Sequence, residues 1–322
     1  MYICEFGVSV MNVKTVLVTG GFGFLGRAVA RRFKQLDYRV IGIGRGHWAP
    51  EDSLARGFDA WLNAGVTLSS LMTLKDRFDV IVHCAGNGSV GYSLTNPLQD
   101  FSKTVQSTAE LLEYVRIVGS DPLLIYPSSA GVYGAKPDAP ITEVDKLNPV
   151  SPYGVHKGVA EELLQLYSNT YGVKAAVIRF FSIYGPGLTK QLLWDASVKM
   201  RNSKNGVSTF WGTGEETRDW IFSEDAADLI FKVSQAPHTY TVMNGASGIR
   251  TTVRDTLMEL RKALKLDVSI EFNNVVREGD PRYYHADVSK AAALGWSPRL
   301  TLSEGIKRYV HWLDMHEENG IA

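Results

Sequence analysis

The chain has 322 residues, 45% of them hydrophobic, and its 34 basic and 34 acidic side chains cancel to a formal net charge of +0. That length and apolar content support one large domain or two unequal ones around a sizeable core. The charge balance excludes a general nucleic-acid backbone binder and gives no reason for adsorption to a membrane. Two cysteines, Cys4 and Cys84, make no disulfide framework and fit a reducing cytoplasm. No apolar run approaches the ~20 residues needed to cross a bilayer. The first ten residues lack the basic region and cleavage site of a signal peptide. They form a short tail, or they precede a natural start at Met11.

In chain order, Val16 to Thr19 reads as a buried strand, and Phe24 onward as a helix with Leu25, Ala28, Val29 and Phe33 at helical spacing. Between them stand Gly20, Gly23 and Gly26, three apart. Glycine lets the backbone turn sharply and approach a ligand closely. The helix start offers unpaired N–H groups and a positive dipole end to a pyrophosphate. A strand, a glycine loop and a helix in this order predict dinucleotide binding; a tight turn with no ligand is the bland alternative. A second strand is expected at Arg39–Gly44, followed by an irregular stretch to Pro50, and a third near Phe58–Leu62. Asp79–Gly86 reads as a buried strand ending in small residues, Gln99–Val118 as a long helix, and Leu123–Tyr126 as a strand running into Pro127-Ser128-Ser129. A helix follows Pro152 to about Tyr171, then a strand at Ala175–Phe181. This alternation is the pattern of a doubly wound α/β domain with a parallel sheet. Beyond Tyr184 it becomes irregular. That part reads as a smaller substrate-binding region over the C-terminal strand ends, closing with a helix from Ser303 to about Met315.

Tyr153 and Lys157 are four apart on one predicted helix and share a face. A phenol titrates near 10, and a neighbouring ammonium is expected to lower that value. Ser128 and Ser129 follow a strand end and can place a hydroxyl beside a reacting sugar oxygen. The set suits proton transfer at a sugar hydroxyl while hydride moves to or from a nicotinamide. His83, His156 and His285 have no metal-ligand spacing, and no metal site is expected. His83 reads as a core histidine at a strand end, Trp194, Trp211, Trp220 and Trp296 as packing residues, and nothing marks Cys84 as a nucleophile.

These stretches, with Ser128-Ser129-Ala130-Gly131-Val132-Tyr133-Gly134, Tyr184-Gly185-Pro186-Gly187, Arg218-Asp219-Trp220-Ile221 and Arg277-Glu278-Gly279-Asp280, resemble the extended short-chain dehydrogenase/reductase superfamily. The branch they resemble is the NAD-dependent epimerase/dehydratase family, and the motifs span nearly the whole chain. The resemblance implies a Rossmann domain over residues 12–184, with later segments returning to it, and a smaller α/β substrate-binding domain over 185–322. It also implies bound NAD or NADP, a nucleotide-diphosphate sugar and often a homodimer. By the same resemblance, Ser129, Tyr153 and Lys157 are catalytic. Gly20, Gly23, Phe24, Leu25, Gly26, Arg45, Ala85, Gly86, Tyr153 and Lys157 contact the dinucleotide. Ser128, Ser129, Ser182, Arg218, Arg277 and Asp280 contact the substrate.

Departures from the family narrow the activity. Ala130 and Gly131 stand where 4,6-dehydratases carry an Asp-Glu pair, and the cysteine and histidine of 3,5-epimerase/reductases are missing. Redox chemistry at one carbon, C4, remains. Gly44 and Arg45 replace the carboxylate that ends the second strand in NAD-preferring relatives. Arg45 pairs a 2′-phosphate or is a solvated loop arginine, so NAD and NADP both stay open. Thr104 and Ser182 stand where many relatives have asparagine. The leading expectation is a 4-epimerase of a UDP- or dTDP-hexose. The alternatives are a 4-ketoreductase of an NDP-4-keto-6-deoxysugar and, from another class, a non-catalytic sugar-nucleotide-binding protein.

Overall fold

The computed structural model describes residues 13–48, 50–119, 121–275 and 281–318. Arg277 and Asp280, both expected at the substrate, lie outside the described residues. Seven strands form one parallel sheet: β1 (Thr15–Thr19), β2 (Arg39–Gly44), β3 (Ala60–Asn63), β4 (Val80–His83), β5 (Leu123–Ser129), β6 (Ala175–Phe180) and β10 (Tyr240–Gly245), ordered β10-β6-β5-β4-β1-β2-β3. Two smaller sheets follow from the second half of the chain. β7 (Ser182–Tyr184) and β11 (Arg250–Thr252) flank β9 (Thr217–Phe222), and β8 (Val207–Phe210) pairs with β12 (Ser269–Phe272). The helices are α1 (Phe24–Lys34), α2 (Pro50–Ala55), α3 (Leu68–Leu71), α4 (Val90–Thr95), α5 (Pro97–Phe101), α6 (Ser107–Val118), α7 (Pro152–Tyr171), α8 (Gln191–Arg201), α9 (Ser223–Ser234), α10 (Val253–Leu264), α11 (Ser289–Ala293) and α12 (Leu302–Glu318).

Successive strand residues face opposite sides of a sheet, so a fully buried strand feeds two cores. In β1, Val16 and Val18 join Val29 and Phe33 of α1 and Leu229 and Ile230 of α9. Leu17 joins Leu111 and Leu112 of α6 and Leu164 of α7 on the other face. A third core, with Leu193, Phe210, Leu257, Ile306 and Tyr309, holds the later helices together. The result is the Rossmann-like arrangement expected from the alternation.

Three elements differ from the sequence reading. The third strand begins later, at Ala60, because Phe58 is turned fully into the core before it. The Asp79–Gly86 strand stops at His83, and Cys84 to Gly86 form a loop in which Gly86 has a φ of 137°. The long Gln99–Val118 helix is interrupted by a π-turn at Ser102–Gln106, which aims the buried Thr104 hydroxyl at the Asn87 N–H, 3.4 Å away. Such π-bulges concentrate at functional sites. Past Tyr184 the chain returns twice to the central sheet: α9 lies on α1, and β10 pairs with β6.

Two buried polar groups tie the layers together. His83 accepts or donates at both ring nitrogens, with Thr19 Oγ1 at 2.7 Å and Thr108 Oγ1 at 3.2 Å, and is a core histidine as expected. Glu161 of α7 receives the Arg179 guanidinium of β6 at 2.7 Å and the Ser128 hydroxyl of β5 at 2.5 Å. Arg179 also reaches Tyr133 Oη at 3.2 Å, and that hydroxyl donates to Asn244 of β10 at 2.7 Å. One network thus spans α7, β5, β6 and β10.

Both groups generate a stability prediction. Removing one partner of a buried ion pair strands the other charge, so Glu161→Ala is expected to lower the unfolding free energy by about 3–5 kcal/mol. Urea denaturation showing a loss under about 1 kcal/mol contradicts the assigned pair. Burial holds the His83 imidazole down, at about 3, with the Lys157 charge a smaller contribution. The unfolded chain therefore binds a proton near pH 6.5 that the folded chain refuses. Stability is complete above about 6.5 and declines as the pH falls toward 3, by about 1.4 kcal/mol per unit from this group. Denaturation between pH 6.5 and 4 is expected to show a shallower decline in His83→Asn than in the parent, and equal slopes would remove His83 as a source.

Candidate active site

The turn after β1 is compact to the limit of covalent geometry. Gly20 has a φ of 64°, and a Cβ there would lie 2.6 Å from the Ala85 nitrogen; one on Gly26 would lie 2.5 Å from the Gly20 carbonyl oxygen. The Gly23 N–H closes the turn onto that carbonyl at 2.9 Å. Gly23 is the N-cap of α1 and carries no side-chain cap, which leaves the first helical N–H groups, at Phe24 and Leu25, to an outside acceptor. Their side chains pack inward, Leu25 against the sheet core and Phe24 against the later helices. Ala85 N–H is held by the Thr19 hydroxyl at 3.1 Å, so the β4 loop and the glycine turn form one concave edge.

The other wall is α7. Ser151 caps it by accepting from the Gly154 N–H, Pro152 opens it, and Gly172 ends it in the left-handed conformation. Its inward face carries Gly154, Lys157, Ala160, Glu161 and Leu164. A Cβ on Gly131 would sit 3.4 Å from both Ser129 Oγ and the Tyr153 ring, and the Ser129 hydroxyl hydrogen-bonds the Tyr153 phenol. Lys157 Nζ donates to the Pro127 carbonyl at 2.9 Å, lies 4.6 Å over the Tyr126 ring, and stands 4.0 Å from the Cβ position of Gly86. The structure therefore brings Ser129, Tyr153, Lys157 and Gly86 together at the C-terminal end of β5.

The electrostatics correct one expectation. The Tyr153 phenol is raised rather than lowered, because burial outweighs the Ser129 hydrogen bond that favours the phenolate. Lys157 does not supply the lowering contact: its ammonium is turned to the Pro127 carbonyl, and burial brings its own value down to about 8. Burial also pushes the Cys84 thiol up to about 12, the opposite of an activated nucleophile.

The remaining expected residues are placed unevenly. Ser128 is nearly inaccessible, and its hydroxyl is committed to Glu161 rather than open to a sugar. Adjacent strand residues point to opposite faces, so only Ser129 faces Tyr153. Arg45 is exposed just past β2, with its guanidinium beside Gly65. Next to it, Trp48 stacks on Phe22 of the glycine turn at 4.6 Å. Ser182 opens β7 and is registered opposite Trp220. Arg218 donates to the carbonyls of Thr217 and Pro281, each at 2.8 Å. Asp219 takes the N–H groups of Ser247, Gly248 and Ala286, and Glu216 those of Thr213 and Gly214. Sequence reasoning missed Glu161, Asp100 and Arg179. Glu161 was readable in part, since it follows Lys157 by one helical turn, but its partner comes from another strand.

Comparison with known proteins identifies the family. The model of the NAD dependent epimerase/dehydratase family matches residues 16–244. A putative UDP-glucose 4-epimerase of Methanocaldococcus jannaschii is 29% identical, the match covering 92% of this chain and 98% of that protein. A UDP-glucuronate 4-epimerase of Arabidopsis thaliana is 28% identical over 94% of this chain and 76% of its own length. Among solved structures, UDP-glucose 4-epimerase from Thermotoga maritima with UDP-glucose superposes with a TM-score of 0.83 at 26% identity, covering 94% of this chain and 99% of that one. UDP-glucuronic acid 4-epimerase from Bacillus cereus, as a mutant bound to a fluorinated UDP-sugar and NAD, gives 0.84 at 25% identity over the same shares. Because the family model spans most of the sequence, including both walls of the cleft, the chain belongs to the NAD-dependent epimerase/dehydratase family.

Proposed function

We propose that the protein is an NAD-dependent 4-epimerase of nucleotide-diphosphate hexoses, acting on UDP-sugars. The observation that carries this reading is the meeting of Ser129, Tyr153 and Lys157 with the glycine cradle at one end of the sheet. The UDP-sugar 4-epimerases among its relatives support the substrate class. The cradle fits a dinucleotide: a Cβ at Gly20 or Gly26 would collide with backbone, and the uncapped N–H groups of Phe24 and Leu25 are left to a pyrophosphate. Ala85 and Gly86 would border the nicotinamide, and Lys157 would hold a ribose from the α7 wall. NAD, when bound, supplies hydride exchange at C4 of the sugar.

The chain's own residues handle the proton. Tyr153 takes it from the C4 hydroxyl and returns it after the keto sugar has turned, with the Ser129 hydroxyl steadying both oxygens. Burial raises the Tyr153 phenol, so Tyr153 rests protonated and serves as the base only as the phenolate, after its own proton has passed to solvent. Ser182 and Arg218, with Arg277 and Asp280, are assigned to the nucleotide diphosphate. Arg45 supports a second reading, a 4-ketoreductase drawing on reduced NADP, because no carboxylate ends β2.

A homodimer is part of the proposal. Leu94, Leu98 and Phe101 are exposed at spacings of four and three across α4 and α5, and Val155 is exposed on the adjoining α7. Unpaired apolar side chains concentrated on packed neighbouring helices suit burial against a second copy.

Two measurements test these readings. NMR of the purified protein with UDP-glucose, and separately with UDP-glucuronate, is expected to show the C4 epimer forming without net dinucleotide consumption. Tyr153→Phe is expected to lower that rate by about 10³-fold while keeping bound dinucleotide. Stoichiometric NADPH consumption with a 4-keto sugar would replace the epimerase by the reductase, and full activity of Tyr153→Phe would remove the mechanism. For the dimer, sedimentation of Leu94→Asp/Leu98→Asp is expected to give a monomer; a parent chain that is already monomeric rejects it.

A further inference from the structure

Behind α7 lies a second buried acid that the reaction described above does not use. Asp100, in α5, is completely inaccessible to solvent. Its Oδ1 accepts from Asn87 Nδ2 at 2.6 Å, and its Oδ2 meets His156 Nδ1 at 2.5 Å. His156 sits between Tyr153 and Lys157 on α7, with the Phe101 ring edge-on at 5.5 Å. Asn87 directly follows Gly86. Its amide also donates to the Ser89 carbonyl at 2.7 Å and accepts from the Ser89 N–H at 3.1 Å, which folds the loop on itself. Ser89 caps α4, and Ser93 of α4 accepts from the Tyr153 N–H at 3.1 Å. At the far side Gln191 Nε2 donates to the Gly88 carbonyl at 3.3 Å.

We propose that Asp100 is a positioning residue for this reaction: through Asn87 and His156 it locks the Gly86–Ser89 loop to the helix that carries Tyr153 and Lys157. The inference rests on the epimerase reading above, because it assigns that loop to the nicotinamide wall. The argument is geometric. A carboxylate fully removed from water persists where its lone pairs are taken by well-aligned donors. Asp100 takes one donor from each wall of the cleft, so the lowest-energy arrangement of this buried charge fixes the distance between the walls. Neutralising the acid leaves the donors opposed to an amide and frees that distance. Reaction geometry is sensitive to displacements on this scale.

The test uses the full-length protein with Asp100→Asn, His156→Leu and His156→Asn. Asparagine at 156 keeps an N–H donor near Nδ1, whereas leucine removes it. Asp100→Asn and His156→Leu are expected to lower kcat by about tenfold with KM for the UDP-sugar within about twofold. The same two variants are expected to weaken NADH binding, read by fluorescence titration, several-fold. His156→Asn is expected to restore both values to near the parent. Thermal melts report the folded fraction of each variant. Losses that track the folded fraction alone, or a His156→Asn variant as impaired as His156→Leu, overturn the proposal. If the parent epimerises no nucleotide sugar, the functional reading fails, and the NADH titrations still decide whether Asp100 orders the loop.

Discussion

Glu161 carries a negative charge into the layer between α7 and the sheet, and much of the site's geometry follows from how that charge is met. Arg179 meets it with two nitrogens and Ser128 with its hydroxyl, so the carboxylate's lone pairs are occupied by β6 and β5 together. The desolvation cost of such a pair is large, and the arrangement stays favourable only while its partners hold close geometry. α7 is thereby fixed against the ends of two strands in one register. One turn before Glu161 on the same face, Lys157 reaches the Pro127 carbonyl. One turn earlier again, Tyr153 meets Ser129. Proline can occupy β5 here because β4 pairs with it only as far as Ile125, so no ladder bond is lost on that side.

The glycine turn contributes a different kind of constraint, one of excluded volume. Its backbone approaches the β4 loop so closely that a single extra carbon at Gly20 would collide with Ala85. The same closeness leaves a smooth concave edge lined by backbone N–H groups, which suits a pyrophosphate. Hydrophobic packing from both sheet faces holds this edge still: Val16 and Val18 are fixed from one side and Leu17 from the other.

The two walls share the apolar core on one sheet face, and polar contacts are added to it nearer the cleft. Thr19, His83 and Thr108 link the sheet to α6, and Asn87, Asp100 and His156 link the β4 loop to α7. Hydrogen bonds are directional, so they can set the spacing of groups across a cleft that apolar contacts would only bring near. Tyr284 adds a contact from the C-terminal part, donating to the Ala130 carbonyl at 2.7 Å beside Ser129.

The sequence by itself determined the strand–turn–helix unit at Gly20–Gly26, the alternation of the first half, and the placement of Tyr153 and Lys157 on one helix face. All three depend on local spacing: glycine positions, period-two and period-3.6 patterns, and residues four apart on one helix. It also singled out Ser129 as the catalytic hydroxyl, yet kept Ser128 beside it as a substrate contact, since a neighbouring hydroxyl carries no mark of which way it faces. Only the tertiary structure decided that Ser128 belongs to Glu161, that burial raises the Tyr153 phenol, and that α9 and β10 return to the first half of the fold. Asp100 and His156 are 56 residues apart, and Glu161 and Arg179 sit on different elements. The physical reason is common to all of these: desolvation and hydrogen-bond partnership arise from groups distant in the chain, and no local pattern records them.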